Sequence, residues 1–257
     1  YGFVNDGFYT VDDFKPFDSK SRTWTLKDGV VNSSPLSGDP RPGNAKFKKL
    51  TPVDENSANP YTLTDDDRTV IGNTTPKFSG GFGLNATFKG FDVSAFFNFM
   101  YDFDVFNANK VMMTTWASNN YNNFSMDISA AKRWRNFDDM GNEIRYSPEI
   151  LAEFNKNATM WNPTSIGRPI AMSYAVEDGS FLRLNTATIG YTLPRAWTNK
   201  VGLSRVRFYA SGYNLFTITG YSGYDPEVDI ATGLTPNIDN NRYPRSRTYT
   251  FGVQLTF

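Results

Sequence analysis

The residues whose types could do chemistry lie in three acidic stretches and one aromatic-rich segment. Asp65, Asp66 and Asp67 stand consecutively before Arg68. Such a set could offer oxygen ligands to a hard cation such as calcium, which takes several carboxylate or carbonyl oxygens. An acidic run also serves as a solvated loop, and no metal beyond this weak candidate is expected. Asp138 and Asp139 are adjacent, so they do not face each other across a glycosidic bond as a catalytic carboxylate pair must. Asp225 and Glu227 flank Pro226, with Arg242, Arg245 and Arg247 downstream; ion pairing suits them better than ligand binding. The chain has no histidine and no cysteine. Imidazole bases, thiolate nucleophiles, disulfides and thiolate zinc sites are therefore excluded. With no glycine-rich phosphate loop either, the residues predict a protein that is not an enzyme and carries no cofactor. The 26 basic residues balance 26 acidic ones, leaving no electrostatic footprint for nucleic acid.

The aromatic segment is the long stretch 104–180, with Trp116, Tyr121, Phe124, Trp134, Tyr146 and Trp161 among many Asn, Asp and Arg. Trp and Tyr stack on sugars, anchor protein interfaces or pack on one another. These residues are candidate contacts for a ligand or a partner protein. Within the stretch, Met126–Phe137 reads as a short helix.

The elements that would position these residues are strands. No run of 18 apolar residues exists to make a membrane-crossing helix. Aromatic content is 16% in a chain that is polar on average, which suits two-faced strands. Phe78–Lys89 places Phe82, Leu84, Ala86 and Phe88 on one face. Phe91–Phe103 places Phe91, Val93, Ala95, Phe97, Phe99 and Tyr101 on one face, and Gly90 marks a tight turn between the two. Phe181–Pro194 is a third strand with broken phase, since Thr186 and Thr188 share a face with Leu182 and Leu184. Val206–Ile218 is a fourth, with aromatics on both faces. The last alternates strictly: Tyr249, Phe251, Val253, Leu255 and Phe257 on one side, Thr248, Thr250, Gly252, Gln254 and Thr256 on the other. Tyr1–Tyr9 could end a sixth strand.

Long connections (10–77, 104–180, 219–244) alternate with short ones (Gly90, 195–205). All long loops then leave one end of an antiparallel meander. Such asymmetry belongs to transmembrane barrels, whose strands face lipid on one side and a polar interior on the other. A bilayer-crossing strand needs about 9–11 residues, which these segments supply. Aromatics near strand ends, such as Tyr101, Trp197 and Tyr221, match residues that prefer the headgroup level. The fold class expected is all-β: a segment of a large antiparallel transmembrane barrel with long extracellular loops. Lumen-facing candidates are Asn85, Thr87, Lys89, Asp92, Ser94, Asn98, Thr250 and Gln254, a polar wall that contacts a plug or lines a substrate route. A soluble or surface carbohydrate-binding β-sandwich, which also alternates, and a passive porin are the rivals.

Several stretches resemble one family. DDDRTVIGNTTPKFSGGF (65–82), KGFDVSAFFNFMYDFDVFNANK (89–110), DGSFLRLNTATIGYTLP (178–194) and RVRFYASGYNLFTITGYSGYDPEV (205–228) are similar to the C-terminal part of SusC/RagA-like TonB-linked outer-membrane transporters. The opening YGFVNDGFYTVDDF resembles that family's text just upstream. The resemblance covers essentially all of residues 1–257. It implies a barrel of about 22 strands enclosing a plug, active import of oligosaccharides or peptides across the outer membrane of a Gram-negative bacterium, a SusD-like lipoprotein lid, and energy delivered through the TonB complex. Tyr249, Phe251, Val253, Leu255 and Phe257 resemble the C-terminal signal shown to the barrel assembly machinery; a strand-shaped signal can pair edge to edge with a receiving strand. No stretch resembles a plug or a TonB box. Five or six strands cannot close a barrel when about 8 is the smallest number known. The remaining strands and the plug are therefore expected in a preceding part of the same polypeptide or in a companion chain.

Overall fold

The computed structural model describes residues 1–115, 124–167, 169–228 and 236–257. Trp116 and Tyr121 lie outside the described residues. Two compact units form: Tyr1–Gly72 with Asn107–Val176, and Asn73–Phe106 with Glu177–Phe257.

In the first unit, β1 (Asn5–Phe8) pairs antiparallel with β2 (Ala45–Phe47). Tyr1–Tyr9 is thus not a strand of the large sheet described next. The reason is local: its apolar residues fall at 3, 4, 8 and 9 without a period of two, and Gly7 takes φ 76°. The rest of this unit is built from turns and short helices that collapse around buried aromatics. Phe3, Tyr9, Phe14, Phe47, Trp134 and Trp161 are all buried, with Phe3–Phe47 and Tyr9–Phe14 meeting edge-on at 6.2 and 5.8 Å. The Tyr9 hydroxyl donates to the Val31 carbonyl (2.6 Å) and accepts from the Ser33 amide (3.0 Å), so the buried phenol is satisfied. The stretch 126–137 forms only one 3-10 turn, Met126–Ile128, rather than the expected helix. Its buried residues, Ile128 and Trp134, are six apart and cannot share a helical face. Arg133 instead makes a parallel bridge to Met160.

The second unit contains β3 (Phe78–Phe88), β4 (Phe91–Tyr101), all but one residue each of β5 (Asp104–Asn107) and β6 (Val176–Asp178), and β7 (Phe181–Thr192), β8 (Arg205–Thr219), β9 (Ile238–Asp239) and β10 (Thr248–Thr256). The five long strands form one antiparallel sheet in the order β10-β8-β7-β4-β3, and β6-β5-β9 form a small one. Spatial neighbours among the long strands are also neighbours in the chain, the expected meander. The sheet is open, with β3 and β10 as its edges. Lys89 and Gly90, both with positive φ (45° and 88°), make the two-residue turn whose twist matches paired strands. The Thr192 amide donates to the Gly90 carbonyl at 2.8 Å, tying that turn to the end of β7.

Register sorts the two faces. Phe88, Phe91, Tyr191, Phe208 and Val253 form one cross-strand row, and Ala86, Val93, Ile189, Ala210 and Phe251 the next. Stacked Phe82–Phe97 (5.0 Å) and close Phe91–Tyr191 (4.5 Å) reinforce this face, as aromatic cross-strand pairs do. It is apolar from edge to edge, yet Phe88 is 70% and Phe251 80% exposed. The opposite face carries the row Asn85, Ser94, Thr188, Ser211 and Thr250.

A bulge explains the broken phase of β7. Phe96 and Phe97 of β4 oppose Thr186 and Leu184, so Asn185 is an extra residue. Leu182 and Leu184 therefore keep to the apolar face, while Thr186 and Thr188 move to the polar one. β8 is irregular at the same level, where Asn214 takes φ 52°. At the loop end, Phe103, Val105, Phe181, Tyr221 and Val228 form a buried cluster.

Candidate functional site

Sheet pairing brings most of the polar candidates together. Asn85, Ser94 and Thr250 share one row, in which Thr188 and Ser211 hydrogen-bond through their hydroxyls at 2.8 Å. Thr87 and Asp92 are direct partners in the next row. Asn98 pairs with Gly81 and with Arg183. Gln254 pairs with Arg207. Lys89 is the exception: it sits in the β3–β4 turn, with Nζ 5.2 Å from the centroid of the Phe88 ring, and Phe88 belongs to the apolar face. A strand phase cannot be extended into a residue of positive φ.

The polar face holds two ion pairs that cross strands. Arg207 on β8 donates from Nε to Asp92 Oδ1 at 2.9 Å and from Nη2 to Oδ2 at 2.5 Å, a bidentate fork. Between them on β7 lies Gly190; a Cβ there would sit 2.4 Å from Arg207 Nη2. Tyr209 next to it fills the space left by Gly252 on β10, where a Cβ would sit 2.4 Å from its hydroxyl. Nearer the loops, buried Arg183 donates to Asp225 Oδ1 at 2.5 Å and lies 3.5 Å from Glu227 Oε2. Glu227 also accepts from Arg245 at 2.7 Å. The Asp225–Pro226–Glu227 segment thus pairs with Arg245 as its sequence context suggested. Its buried partner Arg183 was not foreseen, because only the fold brings residues 42 positions apart into contact.

The three consecutive aspartates diverge. Asp67 is buried and accepts from the amides of Leu50, Thr51 and Thr64 at 2.8–2.9 Å and from the Thr51 hydroxyl at 2.7 Å; Lys49 lies 3.4 Å away. Burial favours its protonated form, but the hydrogen bonds from Thr51, Thr64 and Leu50 outweigh burial and hold its pKa far below the usual carboxylate range. Asp65 pairs with Arg68 at 2.7 Å. Asp67 therefore serves as a structural anchor, and no group of three acids placed to hold a metal occurs among the described residues.

Two aromatic candidates are core rather than contact residues. Trp134 is 3% exposed and packs with Ile144 and Leu151, and its ring lies 5.7 Å from Phe8. Trp161 is 2% exposed; its indole N–H donates to the Thr114 carbonyl at 3.2 Å, and its ring meets Tyr174 edge-on at 4.8 Å. A loop that folds into its own core consumes these two tryptophans. Tyr146 stays at a cleft, stacked on Phe17 at 6.1 Å with Arg22 over its ring at 5.3 Å. Phe124 is 39% exposed.

No family model matches the chain. Among curated proteins, it is 32% identical over 228 residues to TonB-dependent receptor P3 of Formosa agariphila, covering 86% of this chain and 20% of that protein. It is 32% identical over 164 residues to TonB-dependent receptor SusC of Bacteroides thetaiotaomicron, covering 58% of this chain and 15% of SusC. Among solved structures it superposes on the RagAB peptide transporter with a TM-score of 0.59 at 20% identity, covering 100% of this chain and 22% of that one. The RagAB importer in its closed-closed state gives 0.56 at 23% identity. The chain thus spans about a fifth of the length of the relatives it matches.

Proposed function

The chain belongs to the SusC/RagA-like family of TonB-dependent receptors, and from that premise we propose that it is a C-terminal wall segment, with its loops, of an active importer for oligosaccharides or peptides. The family is one of bacterial outer-membrane transporters rather than enzymes. The observation that carries the proposal is the two-faced sheet. One face is apolar across all five strands and exposed; the other holds hydroxyls, amides and a bidentate ion pair. Lipid outside and a polar interior select this pattern. A β-sandwich would cover the apolar face with a second sheet, and none does so among the described residues. The open edges of β3 and β10 carry unpaired backbone groups that cost several kcal/mol each in hydrocarbon. In the barrel proposed here, further strands of the same receptor pair with them.

In this reading Asn85, Thr87, Asp92, Ser94, Asn98, Thr250 and Gln254 face the lumen, most of them against a plug. The long connections between the strands lie, in this reading, on the cell-surface side, where a SusD-like lipoprotein meets the receptor. The TonB complex acts through the plug. Tyr249, Phe251, Val253 and Leu255 of β10, with Phe257 just past its end, stand on an edge strand, where they can be read by the assembly machinery. Similarity to the RagAB peptide importer supports peptides as one substrate class; oligosaccharides rest on the sequence resemblance alone. Uptake of labelled oligosaccharides and peptides by cells with and without the intact receptor tests the proposal. Uptake that requires both the receptor and TonB supports it, and uptake independent of TonB points to a passive pore.

A further inference from the structure

The first unit carries a cleft of about 290 Å³ lined by Arg22, Arg41, Arg145, Asn136, Tyr146 and Thr164, near the lower end of roughly 300–1,000 Å³ typical of ligand pockets. We propose that this cleft binds the carboxylate or sulfate groups of an acidic oligosaccharide. The inference rests on the importer reading.

Charge is the first support. Three arginines line the cleft against one acid, Asp39. Among the described residues no ion pair involves Arg22 or Arg41. Glu143 meets Arg145 through Nε at 2.5 Å. A guanidinium presents a planar fork that matches carboxylate and sulfate oxygens, and such bonds are about twice as strong as neutral ones.

Order is the second support. The Tyr146 ring lies 5.3 Å from the Arg22 guanidinium and 5.8 Å from that of Arg145, so one aromatic side chain orients two cations. Phe17 stacks on the same ring and fixes it in turn. Cations held in place before binding lose less freedom when an anion arrives.

The remaining lining favours a sugar over a peptide. The amides of Asn44 and Asn136 and the hydroxyl of Thr164 suit ring hydroxyls, whereas an apolar peptide side chain would meet only Pro42 and Leu151 beside the aromatic rings. A second cavity of about 480 Å³ shares Asn136, Arg145 and Thr164 and adds Arg133 and Arg135. Arg135 there is paired with Asp139 at 2.7 Å and one Arg133 nitrogen donates to the Ile128 carbonyl, so a second acidic sugar unit would find Arg133. Asp138, which also lines this second cavity, is occupied by its own turn, accepting from the Met140 and Asn142 amides at 2.9 and 2.8 Å.

The test measures binding to the full-length receptor that contains this chain, purified in detergent and shown to be folded by its heat-modifiable gel migration. The probes are a short oligogalacturonide, its methyl ester and a glutamate oligomer of equal charge. The oligogalacturonide is expected to bind, more weakly as salt is added. Its ester and the variants Arg22→Gln and Arg41→Gln are each expected to lower affinity by about tenfold. Lys20→Gln, an equal charge loss outside the cleft lining, is expected to leave affinity unchanged. No binding of the oligogalacturonide, equal binding of its ester, or tighter binding of the glutamate oligomer overturns the proposal. Import of a neutral sugar by a receptor that ignores the oligogalacturonide would overturn this inference and keep the importer reading. Intact acidic-sugar binding without import of any solute would support the site and overturn the importer reading alone.

Discussion

Arg207 reaches Asp92 across an intervening strand, and the residue it passes over, Gly190, has no side chain. Its Nε lies 2.9 Å from Asp92 Oδ1, while a Cβ on Gly190 would stand 2.4 Å from Nη2. The pair ties β8 to β4 beyond the reach of the backbone ladder. Because Arg207 is 18% and Asp92 34% exposed at the side chain, its net contribution is modest. A double-mutant cycle with Asp92→Asn and Arg207→Gln, read from urea midpoints of the refolded receptor, is expected to give a coupling of about 1 kcal/mol. In a Gly190→Val background that coupling is expected to vanish. Unchanged coupling would show that the guanidinium reaches Asp92 by another route.

Asp67 predicts a pH dependence of definite sign. Its folded-state pKa is depressed, so its stabilisation is fully present above the unfolded value of about 3.9 and is lost as pH falls through the lower folded value. Proteolytic protection of residues 45–70 is expected to be flat at neutral pH and to weaken only below about pH 4. Asp67→Asn is expected to destabilise this unit by about 2 kcal/mol at neutral pH and to remove much of the acid-dependent slope. A steeper slope in the variant would contradict the assignment.

Arg183 is buried against two carboxylates. Removing it by Arg183→Leu leaves Asp225 without its cation and Glu227 with Arg245 alone, and is expected to cost about 3 kcal/mol, seen as new protease cleavage in 220–228. Arg183→Lys is expected to rescue little, since an ammonium cannot reproduce the fork. Arg245→Gln, 45% exposed at the side chain, is expected to cost under about 1 kcal/mol.

Trp134 and Trp161 are core residues, so their loss reports on folding before it reports on binding. Trp134→Ala or Trp161→Ala is expected to cost about 3–5 kcal/mol, and limited proteolysis of residues 1–72 and 107–176 checks it. Tyr146→Ala, at a cleft, is expected to leave that protection largely intact.

Much of the sheet was legible because strand alternation is local. Phe78–Phe88 and Phe91–Tyr101 emerged with nearly the expected bounds, since each apolar residue lies two from the next and Gly90 permits the turn. The polar rows followed from the same phase. Asn185 was hidden because a bulge becomes visible only once the partner register is known. That one residue made Thr186 and Thr188 look misplaced. Arg183 was hidden for a similar reason: its partners lie on a distant loop. Trp134 and Trp161 were misread because residue type signals a preference for burial or contact without saying which. Their burial depends on a lobe whose pattern, in short turns and bridges such as Gly2–Thr69, has no period to detect.

The central claim is that the apolar face of the five-stranded sheet meets lipid and the opposite face does not. The chain contains no cysteine, which makes cysteine substitution clean within it. Single cysteines at Phe82, Ile189 and Phe251, and at Ser94, Thr188 and Ser211, in the full-length receptor in its native membrane would be given a spin label and tested with a lipid-soluble and a water-soluble relaxation agent. The first three are expected to respond to the lipid-soluble agent and the second three not to. Uniform access of the water-soluble agent to Phe82, Ile189 and Phe251 would contradict that claim.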